Sequence, residues 1–209
     1  MAEKKSIVIV EDHPVMRTGL AAWFEGSGRW TVLGSASSLA QAKKLLTELC
    51  VKVPIDILLL DIQLEDGWGL DIIPWFTKQA ASAEQNSFPA IAVYSAFEDY
   101  AHVNAALGMG VRAYVSKRRS EEELEAALLK ALGGTICVDE AVKAKFETVT
   151  DLLSLLTRRE GEILSLVKTG LSNKQIAAKL GISHRTVENI LSCVYDKTGI
   201  TSRLELERL

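Results

Sequence analysis

Two acids stand together at Glu11 and Asp12, a third at Asp61, a hydroxyl at Ser95 and an ammonium at Lys117. Each follows a short strand-like run: SIVIV, IDILLL, AIAVY and AYVS. Converging carboxylates repel one another unless a cation neutralises them. A few hard oxygen ligands, with room left for water and a phosphoryl group, suit Mg2+. Asp61 would then be a nucleophile. The cation and Lys117 would stabilise charge on a transferring group, and the Ser95 hydroxyl would hydrogen-bond a phosphoryl oxygen. Singly, each residue has a plainer explanation. Asp12, just before His13 and Pro14, makes a fair helix cap, and Lys117 and His13 fit a solvated surface. The weight lies in four strand ends agreeing.

The elements that must position these residues alternate up to about residue 130. SIVIVED, WTVLGSA, IDILLLD, AIAVYSA and AYVSK read as strands. PVMRTGLAAWFEG, SLAQAKKLLTELC, GLDIIPWFTKQAA, EDYAHVNAALGMG and SEEELEAALLKALGG read as helices, with capping boxes at Ser38–Gln41 and Ser120–Glu123. Pro74 is compatible only with the first turn of its helix. SAEQNSFP, residues 82–89, reads as a polar loop. Strict alternation predicts an α/β fold: a doubly wound, five-stranded parallel sheet of flavodoxin-like type, order 2-1-3-4-5. That order makes the first and third strands neighbours. It brings the three carboxylates into one pocket beyond the strand ends.

After Gly134 the pattern changes. TICVDEAVKAKFETVTD shows no clear period and reads as a linker with room for a short helix. From Leu155 onward four short helices are predicted and no strand. Three open on capping boxes, Thr157–Glu160, Ser172–Gln175 and Ser202–Glu205; the other opens at Ser183. The boundaries expected are a first domain over 1–131, a linker over 132–150 and a small all-α domain of four helices over 151–209. SNKQIAAKLGISHRTVENIL is two helices joined at Gly181, the spacing of a helix-turn-helix. In its second helix Val187, Ile190, Leu191 and Val194 form an apolar face. Glu188, Asn189 and Ser192 are left to meet base edges. Asn173, Lys174, Arg185, Thr186 and Lys197 suit phosphates, which position without specifying sequence. A helical protein-binding module is the alternative for this segment.

The totals exclude several classes. The net charge of −3 splits into +2 from Asp151 onward and −5 before it, a weak pointer to different partners. The apolar runs are far below the roughly 20 residues that span a bilayer. Acids follow the first apolar stretch too soon for a secretory signal. No membrane partner is expected, and the cytoplasm is the expected compartment. Cys50, Cys137 and Cys193 are isolated and read as reduced thiols, so neither a zinc site nor a disulfide framework is indicated.

VEDHPVMRTGL, LLLDIQLEDGWGL, VYSA and AYVSK together resemble the receiver domain of two-component response regulators, over about residues 5–130. The resemblance implies Asp61 as phospho-acceptor and a Mg2+ held by Glu11, Asp12, Asp61 and the backbone carbonyl of Gln63. It implies Ser95 as switch hydroxyl, Tyr114 as switch aromatic and Lys117 as the phosphoryl-binding lysine. Two departures stand out: Glu65 and Arg118 occupy positions where relatives often carry proline. LTRREGEILSLVKTGLSNKQIAAKLGISHRTVENILSCVYDKTGI is similar to the DNA-binding domain of NarL/FixJ, LuxR-type regulators. The implied function is a phosphorylation-controlled transcriptional regulator. Its implied partners are a cognate histidine kinase, double-stranded DNA and, when phosphorylated, a second copy of itself. The final helix, from about Ser202 to Leu209, implies a weak dimer contact in the tail. A phosphatase of the haloacid dehalogenase type also uses a strand-end aspartate, but wants a second acid two residues on, where this chain has Gln63. A receiver that binds DNA without phosphorylation is disfavoured because the whole pocket is present.

Overall fold

The computed structural model describes residues 4–50, 52–82, 88–200 and 202–207. The chain divides into two compact units, with the main boundary in sequence after Val142.

The first unit is built on parallel strands β1 (Lys5–Val10), β2 (Trp30–Ala36), β3 (Ile57–Leu60), β6 (Ala90–Ser95), β7 (Ala113–Ser116) and β8 (Cys137–Val138). A two-residue antiparallel hairpin, β4 (Gln63–Leu64) with β5 (Gly67–Trp68), stands apart. The sheet order is β2-β1-β3-β6-β7-β8. The five predicted strands take the predicted order, since β6 and β7 are the expected fourth and fifth.

Five helices flank the sheet: α1 (Pro14–Gly26), α2 (Leu39–Leu49), α3 (Ile72–Ser82), α4 (Tyr100–Gly108) and α5 (Glu121–Leu132). Every residue of β3 is buried. Ile7, Ile9, Ile57, Leu59, Ala92, Tyr94, Ala113 and Val115 pack with Leu20 and Phe24 of α1 and Leu124 and Leu128 of α5. The intervening residues Val8, Val10, Leu58, Leu60 and Val93 are buried as well. Side chains alternate across a strand, so both faces of the sheet are covered. Pro74 is the third residue of α3. Its missing N–H falls among the four donors that a helix start leaves unpaired anyway. Ser120 and Glu123 close the expected capping box on α5.

The expectation of five strands is corrected to six. The stretch read as irregular carries β8, paired in parallel with Ala113 and Tyr114, and α6 (Glu140–Ser154). A two-residue strand is too short to show a period of two. The β-branched run Thr148-Val149-Thr150 lowers helix propensity across α6. The predicted polar loop at 82–89 lies largely outside the described residues.

The second unit contains α7 (Arg158–Lys168), α8 (Asn173–Leu180), α9 (His184–Thr198) and α10 (Arg203–Glu207). Thr157–Glu160 and Ser172–Gln175 form complete capping boxes, and the Ser183 hydroxyl accepts the N–H of Thr186. Gly181 ends α8 in the left-handed conformation at φ +65°. Glycine alone enters that region freely, so the chain can turn sharply into α9. Ile163, Leu164, Val167, Ile176, Val187, Leu191, Val194 and Leu206 form the core. Residues 208–209, the end of the predicted last helix, lie outside the described residues.

Candidate functional site

Three parallel strands end side by side. Val10 is in register with Leu60, and Leu60 with Val93. On the next strand Ser95 is level with Ser116. The residues that follow are therefore delivered to one end of the sheet: Glu11 and Asp12, Asp61, Ser95 itself, and Lys117. The Asp61 N–H donates to Val10 O at 2.9 Å, and the Lys117 N–H to Ser95 O at 2.9 Å, extending the ladders by one residue.

Lys117 is the hub. Its Nζ lies 2.7 Å from Glu11 Oε2 and 2.7 Å from Asp61 Oδ2, so one ammonium stands between two carboxylates. Glu11 is 2% exposed and Asp61 7%. Burial pushes the Glu11 carboxyl above its usual pKa, against the opposing pull of Lys117. Burial also disfavours the Lys117 ammonium, but its hydrogen bonds to Asp61 and Glu11 outweigh that and hold its pKa above the ordinary value. A cleft of about 430 Å³ opens over these groups, lined among others by Asp12, Asp61, Gln63, Ser95 and Lys117. Carboxylate oxygens of Glu11 and Asp12 and a ring nitrogen of His13 lie within 4.8 Å of one another. His13 itself is 80% exposed and sits 3.4 Å from Asp12. The oxygen donors fit a hard divalent cation.

Ser95 is fully buried and its Oγ accepts the N–H of Phe97 at 3.3 Å. Tyr114 is also buried, and its hydroxyl donates to Phe97 O at 2.8 Å. Both switch candidates therefore meet at one residue, Phe97. The Gly69 N–H donates to Ile62 O at 2.6 Å. A Cβ on Gly69 would lie 1.9 Å from Asp61 O, so only glycine fits behind the acid.

In the second unit α8 and α9 form the expected pair. On α9, Val187, Leu191 and Val194 are buried and Ile190 is half-buried. Arg185, Thr186, Glu188, Asn189 and Ser192 are exposed, as is Lys174 on α8.

Residues 7–129 match the family described as the response regulator receiver domain. Residues 154–209 match the bacterial regulatory proteins of the luxR family. The chain belongs to the response regulators of the NarL/FixJ, LuxR-type family. The regulator is similar to the transcriptional regulatory protein YdfI of Bacillus subtilis strain 168, 30% identical over 206 residues, which cover 95% of this chain and 92% of that one. It is 30% identical over 211 residues to the nitrate/nitrite response regulator protein NarL of Escherichia coli K12, covering 97% and 93%. The solved structure of an RcsB–DNA complex shares its fold, with a TM-score of 0.71 at 22% identity over 98% of this chain and 96% of that chain. Its relatives are transcriptional regulators, and the chain is a DNA-binding regulator of a two-component system, not an enzyme. No described helix of the regulator is long and apolar enough to cross a membrane.

Several residues that matter in the regulator were not singled out from its sequence. The Arg17 guanidinium donates to Glu11 O at 2.7 Å and Asp12 O at 3.0 Å, clamping the backbone under both acids. Arg203 donates to Asn173 Oδ1 at 2.9 Å and to Leu171 O, tying α10 to the start of α8. Of the expected phosphate contacts, Asn173 is thus engaged within the unit. Lys197 is too, with its Nζ 2.7 Å from Glu160 Oε2. Glu188 lies 3.5 Å from the His184 ring, one turn back on α9. The peptide bond between Lys117 and Arg118 is trans.

Proposed function

We propose that the regulator accepts a phosphoryl group on Asp61, with Mg2+, from a cognate histidine kinase in the cytoplasm, and then binds promoter DNA as a homodimer through α9. The observation that carries this reading is the single ammonium of Lys117 between Glu11 and Asp61, at the meeting of four strand ends. Two buried acids sharing one lysine are costly as a purely structural device. Their excess negative charge suits a divalent cation, which would in turn attract an anionic phosphoryl group.

Asp61 supplies the attacking oxygen. A bond forms between its carboxylate oxygen and phosphorus, and the phosphorus–nitrogen bond to the donor histidine breaks. Glu11, Asp12, Asp61 and the Gln63 carbonyl would hold the Mg2+, which supplies positive charge to the phosphoryl oxygens. Lys117 exchanges its contact with Asp61 for one with a phosphoryl oxygen. The Ser95 hydroxyl turns from the Phe97 amide to another. Tyr114, bonded to the same Phe97, senses that movement, so the added charge biases a two-state element.

On DNA, Glu188, Asn189 and Ser192 read base edges in the major groove. Lys174, Arg185 and Thr186 contact phosphates, with Asn173 and Lys197 lending theirs only by releasing the partners described above. Genome-wide footprinting with and without a phosphoryl donor tests the whole reading. Sites occupied more strongly with the donor are expected, and the Asp61→Asn protein should lose that response. Equal footprints in all three states would refute it.

A further inference from the structure

The loop after Asp61 is fastened from outside the pocket. Asp66, between β4 and β5, reaches across to the start of α2. Its Oδ1 accepts the N–H of Leu39 at 2.8 Å and its Oδ2 that of Ala40 at 3.0 Å. A helix start leaves four N–H donors without intrahelical partners. The cap of α2, Ser38, covers only Gln41, at 3.2 Å. The Gln41 side chain does not return the favour, as a capping box would require, but accepts from Ser37 N and Oγ at 3.1 and 2.9 Å. Two of the remaining donors are thus met from a residue 27 positions downstream.

Packing closes around this contact. Gly67 holds φ at +149°, and a Cβ there would lie 2.8 Å from Leu39 Cδ1. Gly69 is pressed against the Asp61 carbonyl at the other end of the hairpin. Gln63 runs between the two anchors, paired with Trp68. Glu65 adds no backbone restraint of the kind a proline ring imposes. The order of the loop rests on its anchors.

We infer that Asp66 is a positioning residue for the phosphoryl site: by stapling the loop to α2 it fixes the Gln63 carbonyl for the divalent cation. The inference rests on reading the pocket as a Mg2+-dependent acceptor. The Asp66 carboxylate is spent on the start of α2, outside the lining of the cleft. A carbonyl on an unstapled loop must be ordered when the cation binds, and that ordering opposes binding.

The test is a Mg2+ titration of the full-length protein by calorimetry, with a parallel thermal melt, for wild type, Asp66→Ala, Asp66→Asn and Ser38→Ala. Asp66→Ala is expected to raise the Mg2+ dissociation constant roughly 10-fold, the lower end for residues that orient a ligand from behind. Asp66→Asn keeps one acceptor oxygen and should raise it by about a third as much on a logarithmic scale; it carries the test should the alanine variant not fold. Ser38→Ala removes the other cap of α2 without touching the loop. It should lower the melting temperature and leave the Mg2+ constant unchanged. Asp66 variants that lower only the melting temperature would overturn the inference, and so would a Ser38→Ala shift in Mg2+ affinity equal to theirs. A wild type that binds no Mg2+ would overturn the reading of the pocket and the inference with it.

Discussion

Replacing Lys117 with methionine removes the ammonium between Glu11 and Asp61 and leaves an unbranched apolar side chain one atom shorter. Both carboxylates are more than nine-tenths buried. Breaking one partner out of a buried ion pair costs about 3–5 kcal/mol. An escape route caps the figure, because one carboxyl can take up a proton. At pH 7 that costs about 3.7 kcal/mol for a glutamate of ordinary pKa, at 1.36 kcal/mol per pKa unit. It costs less for Glu11, whose pKa burial already raises. A loss of about 3 kcal/mol follows, or roughly 10 °C in melting temperature for a domain of this size. The assay is selective. All four tryptophans, Trp23, Trp30, Trp68 and Trp75, lie in the first unit, so their fluorescence reports that unit alone. Mg2+ should restore more stability to Lys117→Met than to wild type, since the cation then supplies the missing neutralisation. At 100 times its dissociation constant a ligand adds about 2.7 kcal/mol. A variant that melts within about 2 °C of wild type without Mg2+ would refute the reasoning, because the two buried carboxylates would then need no counter-charge.

Three further outcomes follow from the same contacts. Gly69→Ala drives a methyl into the Asp61 carbonyl and should cost about 3 kcal/mol or more in urea unfolding followed by tryptophan fluorescence; a neutral variant would contradict the close approach. Lys197 first, and then the Thr157 backbone, hold the Glu160 carboxyl down at a pKa of about 2. The stability this brings is complete above the ordinary carboxyl range and is lost as pH falls from about 4.3 towards 2. Amide protection in α7 and α9, corrected for the intrinsic exchange rate at each pH, should therefore fall across that window in wild type and not in Glu160→Gln. Glu188→Ala should relax preference at one base position by roughly 1–3 kcal/mol in a selection on randomised DNA, and an unchanged motif would reduce Glu188 to the partner of His184.

Legibility in the sequence followed the range of the interactions. Strand ends, capping boxes and the Gly181 turn are local, and Asp61, Ser95 and Lys117 could be placed at strand ends from apolar runs alone. Their convergence needed only the strand order. Contacts between distant segments left no local signal. Asp66 caps a helix 27 residues earlier, and Lys197 serves Glu160 across 37. Lys197 therefore read as a phosphate contact. Arg17 had a faint signal, as a basic residue one turn inside a helix that starts beside two acids. The strand β8 had none, because two residues cannot show a period and its pairing partner lies about 24 residues away in sequence.

Everything proposed for the regulator turns on Asp61 as the acceptor. The direct measurement is intact-mass and peptide mass spectrometry of the full-length protein after incubation with an acyl phosphate and Mg2+. One phosphoryl group per chain, mapped to the peptide carrying Asp61, is predicted, together with its loss in Asp61→Asn and its dependence on Mg2+. Modification of Asp61→Asn at the wild-type level would contradict the account.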